Sequence, residues 1–186
     1  LINYSSLARL ISKELEIEKK SSKEAILIAA SRFQDKLKKE LNNELKIETL
    51  LSKSEVGIKN KIGALILRKT INLDEIIEFQ KNVKKENGTI YVLEGTDNYT
   101  IITQERYAQK LHKTFESNAI KFHEDLAIID FKSPEEIEKI TGVVSYLTSL
   151  FAENGVNILE FLSCWRDTIF VIDNKDVNKA IIFLKF

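Results

Sequence analysis

Residues 149–172 read SLFAENGVNILEFLSCWRDTIFVI. The first five close an apolar helix, and Asn154-Gly155 supplies the residue types that end helices in a left-handed turn. An alternating strand, Val156–Ser163, follows, then a short charged turn and a second strand, Thr168–Ile172. Upstream, Val143–Glu153 carries the helical pattern. Downstream, NKDVNKAIIFLKF predicts another helix. Leu126–Phe131 predicts a strand ahead of the loop SPEEIEKITGVV. The order is therefore strand–helix–strand–strand–helix.

The same order occurs once before. EVGIKNKIGALIL has strand character, interrupted at the KNK of residues 59–61. NLDEIIEFQKNVKKENG is a helix with Asn72 as its cap, an Ile76–Phe79–Val83 stripe and a stop at Gly88. TIYVLEGTDNYTIITQ predicts two strands joined by a turn, ERYAQKLHKTF a short helix, and IKFHEDLAIIDF a return to strand. Two stretches of about 65 residues with one element order indicate tandem modules. Helices on one face of a short mixed sheet give the split βαβ, ferredoxin-like arrangement. A complete βαββαβ unit needs a fourth strand, yet the second module runs out of chain after its last helix. SEVGIKN, residues 54–60, is placed to fold across and supply it, which interlocks the modules.

The N-terminal region is helical. SSLARLISKELEI, residues 5–17, sets Leu7, Leu10, Ile11 and Leu15 on one stripe, with Ser5 or Ser6 as the cap. SSKEAILIAASRFQDKLKKEL predicts a longer helix that opens on a Ser21/Glu24 capping box. Ala25–Ala30 is apolar nearly all round, so that half is expected to be buried. The half around Lys36, Lys38 and Lys39 is solvated, and Asn42-Asn43 ends the helix. The expected division is 1–45 helical segment, 46–117 first and degenerate module, 118–186 second module. The class is α+β.

Composition narrows the functions. The 186 residues carry 28 basic and 28 acidic side chains, so no global field favours nucleic acid or membrane. Residues 1–53 hold 11 Lys/Arg against 8 Asp/Glu, and residues 118–186 hold 7 against 11, a modest gradient from basic to acidic. The single cysteine, Cys164, excludes an internal disulfide and fits a reducing, cytoplasmic setting. No apolar run approaches the ~20 residues of a membrane span, and no signal peptide is legible. The chain contains no Met, so residues upstream of Leu1 are expected. The Lys/Glu bias is compatible with a thermophile.

ITGVVSYLTSLFAENGVNILEFLSCWRDTIFVI resembles the ACT domain, and in particular the tandem ACT units in the regulatory half of aspartate kinases. Gly142-Val143 matches the end of that family's Pro-Gly-Val loop, with Thr141 in place of the Pro. The helix and Asn154-Gly155-Val156-Asn157-Ile158 match as well. The likeness is close over 118–186 and weak over 54–117. No kinase catalytic domain is legible in these 186 residues. In those kinases one ACT unit is inserted within the other, which is similar to the borrowed strand inferred above.

The resemblance implies a pocket lined by the first loop, the first helix and the second strand. Thr141, Gly142 and Val143 would offer backbone N–H groups to a carboxylate, because helix-start amides are unpaired and carry the positive end of the dipole. Asn157, followed by Ile158, would read another polar group, and Asp130 and Ser133 would receive an ammonium. Other constellations are poor. His112 and His123 lie in different elements, so no metal or cofactor is expected. Cys164 has no paired His, and Ser145, Ser149 and Ser163 have no nucleophile elbow. The Glu135, Glu136 and Glu138 cluster reads as a solvated loop. The expected function is therefore non-enzymatic: a regulatory homodimer that binds a small amino acid at a module or subunit interface. Two alternatives stay open. One is a transcriptional regulator, because INYSSLARLISKEL is loosely similar to a helix-turn-helix start. The other is an oligomerising interaction module without a ligand.

Overall fold

The computed structural model describes residues 4–14 and 23–186. Leu15 and the Ser21 cap, and the turn that a helix-turn-helix would need, lie outside the described residues. The elements in chain order are α1 (Tyr4–Glu14), α2 (Lys23–Leu51), β1 (Glu55–Arg68), α3 (Leu73–Lys85), β2 (Ile90–Glu94), β3 (Asn98–Gln104), α4 (Glu105–Thr114), β4 (Ala119–Lys132), α5 (Val143–Glu153), β5 (Ile158–Cys164), β6 (Asp167–Asp173) and α6 (Val177–Phe183). They form two compact units, residues 1–49 and 50–186.

The first unit departs from expectation in three ways. Ser5 and Ser6 sit inside α1 rather than at its cap, since the helix starts at Tyr4. α2 runs through Asn42-Asn43 to Leu51. Leu50 and Leu51 are buried, and that burial outweighs the weak helix preference of two asparagines. Within Ala25–Ala30 only Ile26 is buried, and Ile28 is exposed. An all-round apolar helix needs cover on every side, whereas among the described residues its apolar groove is shared with Leu7 and Ile11 of α1.

The second unit is one six-stranded sheet in the order β2-β3-β1-β4-β6-β5. Every pairing is antiparallel, so the sheet is not mixed. The two central strands are long, 14 residues each, and each serves both modules. Ile62–Arg68 of β1 pairs with β3, while Glu55–Lys59 pairs with Lys132–Ile128 of β4. The segment expected to fold across is therefore the first half of β1. The loan is mutual. Leu126–Lys132 of β4 pairs with β6, while Ala119–Leu126 pairs with the second half of β1. Each half-sheet thus has four strands in ferredoxin-like order, the fourth supplied by the other module.

The residues read as an interruption in β1 are where this exchange happens. Lys61 has φ 56° and Asp125 has φ 53°, each the seventh residue of its long strand. The register shifts between Lys59 and Ile62. A bulge with one left-handed residue bends the strand sharply. The two half-sheets then enclose a common core of Ile62, Ala64 and Ile102 from one module and Leu126, Ile128, Ile169 and Val171 from the other.

The outer faces carry the helices. Leu65, Leu67, Ile76, Val83, Tyr107 and Leu111 pack together under α3 and α4. The second module is aromatic there. Phe170 lies 4.6 Å from Phe151, 5.2 Å from Phe161 and 6.1 Å from Phe131 between ring centroids. Both α3 and α5 end in the same way. Gly88 N–H donates to Val83 O and Val156 N–H to Phe151 O, closed by Asn87 (φ 55°) and Gly155 (φ 62°) in the left-handed region. Position for position, Asn87 matches Gly155 and Thr89 matches Asn157.

Candidate functional site

The loop between β4 and α5 is six residues longer than its counterpart between β1 and α3 (10 residues, 133–142, against 4, residues 69–72). Its base is fixed by Ser133, which is buried. Ser133 N–H donates to Arg166 O at 2.9 Å, and Arg166 Nε donates to Ser133 O at 2.6 Å. Ser54 Oγ donates to Ser133 Oγ at 3.0 Å. These bonds tie the end of β4 to the β5–β6 turn. Trp165 forms the tip of that turn with φ 51° and is 62% exposed.

The loop then makes a short 3-10 turn at Glu135–Lys139 and reaches Gly142, which caps α5 with φ 88° and ψ 2°. A side chain is strained at that φ, which explains the glycine. The start of α5 has no side-chain cap and no acidic residue in its first turn. The start of α3 is different. Asn72 Oδ1 accepts Asp74 N–H at 3.0 Å, and Asp74 and Glu75 lie in the first turn. One module caps its helix start with its own side chain, and the other has no such cap.

A cavity of about 250 Å³ lies in front of that start. It is lined by Ile137, Glu138 and Ile140 of the loop, by Gly142, Val143 and Val144, and by Ser163, Trp165 and Thr168 of the β5–β6 hairpin. A larger cavity, about 550 Å³, surrounds the β1 bulge at Asn60 and Lys61 and the start of α4. There the first turn carries its own carboxylate, Glu105, which already complements the helix dipole.

The structure gathers some of the sequence-predicted residues and separates others. Gly142 and Val143 line the cavity, and Thr141 is the exposed residue next to them. Ser133 lies below the loop, engaged with Arg166 and Ser54 rather than open to a ligand. Asp130 is on the other face of the sheet. Its neighbours Ile129 and Phe131 alternate to the α5 side, while Asp130 shares the face of Ile128. There Lys59 Nζ approaches Asp130 Oδ1 at 3.4 Å, and that oxygen is buried without a hydrogen bond. Burial pushes the Tyr91 phenol up. Lys59 opposes the push, and Asp130 adds to it. Tyr91 of β2 packs against the shared core that includes Ile128 of the other module.

Asn157 precedes β5 and Ile158 begins it, while Ser163 and Trp165 stand at the strand's far end. At about 3.3 Å per residue, Asn157 is roughly 20 Å from the cavity within one chain. Asn157 is exposed and Ile158 half-buried. Sequence reasoning missed Ile137, Glu138, Ile140, Trp165 and Thr168. The available signal was Trp165, the chain's one tryptophan, set in a polar turn. Among the described residues no cluster of His, Cys, Asp or Glu could hold a metal ion, and no helix is long and apolar enough to cross a membrane.

No protein-family model matches the chain, and no curated protein matches it. Solved structures do. The Clostridium acetobutylicum aspartate kinase, an allosteric enzyme, superposes with TM-score 0.58 at 12% identity over 70% of this chain. The match spans about a third (33%) of that enzyme's own length. The regulatory subunit of aspartate kinase from Thermus thermophilus superposes with TM-score 0.52 at 12% identity, covering 69% of this chain and 93% of that one. A Vibrio cholerae protein of unknown function gives TM-score 0.54 at 11% identity, covering 76% and 95%. The chain shares its fold with the regulatory subunit of aspartate kinase.

Proposed function

We propose that this chain is a non-catalytic regulatory protein that binds a small amino acid in the cavity before α5. The observation that carries the reading is the contrast between two equivalent helix starts. α3 is capped by Asn72 and followed by Asp74 and Glu75, whereas α5 presents open amides beside a cavity. A ligand carboxylate is the group that satisfies such amides. The cavity also holds one carboxylate, Glu138, which suits the ammonium of the same zwitterion. Glu138 takes the role first assigned to Asp130, which faces the other side of the sheet.

Asn157 and Ile158 enter this reading from a second copy. β5 is an edge strand with unpaired backbone groups. Antiparallel pairing of two β5 strands reverses one against the other. It sets Asn157 of one copy beside the Ser163–Trp165 end of its mate, close to Gly142. The amide of Asn157 then supplies a donor and an acceptor across a homodimer interface.

Calorimetric titration of the twenty amino acids into the wild-type chain tests the proposal, with Gly142→Val and Asn157→Ala as comparators. One amino acid, or a small group, binds. Gly142→Val abolishes binding by filling the approach. Asn157→Ala weakens it by about 10- to 150-fold, the equivalent of a hydrogen bond to a charged group worth ~1.5–3 kcal/mol. No heat from any amino acid at millimolar concentration overturns the proposal.

A further inference from the structure

We infer that α2 is a self-association helix that pairs antiparallel with α2 of a second copy. The surface begins in the groove between α1 and α2, an apolar space of about 560 Å³ lined by Leu7, Ile11, Ile26 and Phe33. From Phe33 it continues along α2 through Leu37, Leu41 and Leu45, which are 60%, 41%, 59% and 60% exposed in that order. A spacing of four residues advances 400° per step, so the four side chains sweep only about 120° and share one face over about 18 Å. Four large apolar side chains in a row on one exposed helix face mark a contact surface rather than the scattered apolar residues of an ordinary surface.

Charge identifies the occupant. From residue 32 to 39 the helix carries four cationic side chains against Asp35 alone, net +3; from 40 to 48 it carries three carboxylates against Lys46 alone, net −2. A parallel mate would set like block against like. An antiparallel copy sets each basic block on the acidic block of its mate, and it matches the apolar row to itself. With the two-fold axis at Lys39, Phe33 faces Leu45 of the other copy and Leu37 faces Leu41. Lys38 then lies opposite Glu40. The contact is isologous and closes at two copies. Within one helix Lys36 Nζ already approaches Glu40 Oε1 at 3.7 Å, with both side chains more than half exposed, a pairing that an opposing helix can replace.

The test uses the full chain with Cys164→Ser, which removes the one native thiol. Phe33→Cys and Leu45→Cys are made separately, and one carries a tag so that the two chains differ in mass. Both positions are exposed, so folding is preserved. Copper–phenanthroline oxidation of the mixture is expected to give a disulfide dimer containing both chains at least tenfold faster than either variant alone. Two copies of residue 33 lie about 18 Å apart in this arrangement, beyond disulfide reach. The link reports α2 against α2 directly, whatever other surface also joins copies. Lys36→Glu/Lys38→Glu in both chains, or Glu40→Lys/Glu44→Lys in both, slows the link at least tenfold. Placing one charge set in each chain restores it. Rapid self-linking of Phe33→Cys overturns the proposal in favour of a parallel pair, and absence of any link overturns self-association through α2.

Discussion

The mutual strand loan is most exposed to test at Gly57, where β1 crosses into the second module opposite Asp130. A Cβ at Gly57 would lie 2.7 Å from Asp130 Oδ2, 2.8 Å from Oδ1 and 2.9 Å from Cγ. All three are closer than a side chain tolerates, and Asp130 Oδ1 is already buried. Gly57→Ala must therefore displace the carboxylate, at an overpacking cost of about 1–3 kcal/mol. Against this stands a gain of about 0.4–1 kcal/mol, because alanine reduces the entropy of the unfolded chain. The net expectation is a loss of up to about 2.6 kcal/mol, centred at about 1.3 kcal/mol. With Asp130→Ala as background the clash is gone, and Gly57→Ala becomes stabilising by about 0.4–1 kcal/mol. The lost ion pair with Lys59 appears in both arms on that background, so it cancels in the cycle. Urea unfolding of the four proteins, followed by far-ultraviolet circular dichroism, measures the coupling. A Gly57→Ala effect of the same sign and size on both backgrounds would mean that the first half of β1 does not lie beside Asp130. The interlocked architecture would fall with it.

Three further outcomes follow from the packing and the electrostatics. Phe170→Ala removes the ring that Phe131, Phe151 and Phe161 surround, so it should cost about 3–5 kcal/mol in the same unfolding assay. Arg166→Ala removes the hydrogen bond from Nε to Ser133 O, with an expected loss of about 0.5–1.5 kcal/mol and faster amide exchange in the β4–α5 loop. Burial holds the Glu160 carboxyl above the usual carboxylate range. The folded state therefore keeps its proton longer than the unfolded state does, and stability falls as pH rises out of that range. Glu160→Gln should raise Tm at neutral pH and leave it unchanged in acid below the carboxylate range.

Element order was legible because local signals agreed with the final packing. Asn72 caps α3 as its position suggests, and Ile76 and Val83 are buried as the stripe requires. The Glu-Asn-Gly stops at 86–88 and 153–155 both close helices. The borrowed half of β1 could be inferred because β4, β5 and β6 leave a four-stranded unit one strand short. The reciprocal loan from β4 could not, since Ala119–His123 reads as the start of that module's own strand. The KNK segment read as a break because lysines and an asparagine suit turns, whereas it is a bulge inside a continuous strand. Asn42-Asn43 read as a stop because the burial of Leu50 and Leu51, which extends the helix, is tertiary.

Of the nine residues that line the cavity, sequence reasoning singled out Gly142 and Val143 as site residues. Gly142 stood out because Gly142-Val143 resembles the end of a Pro-Gly-Val loop, and its left-handed φ gives the physical reason for the glycine. Glu138 and Trp165 were not found, because a 3-10 turn and a hairpin more than twenty residues apart in the chain meet only in the fold. Asp130 was misplaced for a reason that strand alternation already contained. It sits between Ile129 and Phe131, and those two face α5.

The amino-acid reading is tested most directly by amide hydrogen exchange, with and without the amino acid that titration selects. Bound ligand should slow exchange at Val143, Val144 and Ser145, whose N–H groups open α5, and at Ser163–Thr168 across the cavity. Asn157 should be protected in the same experiment, and α3 behind its own Asn72 cap should be unchanged. Protection confined to α3, or absent from Val143–Ser145 while the ligand is bound, would contradict the placement of the effector.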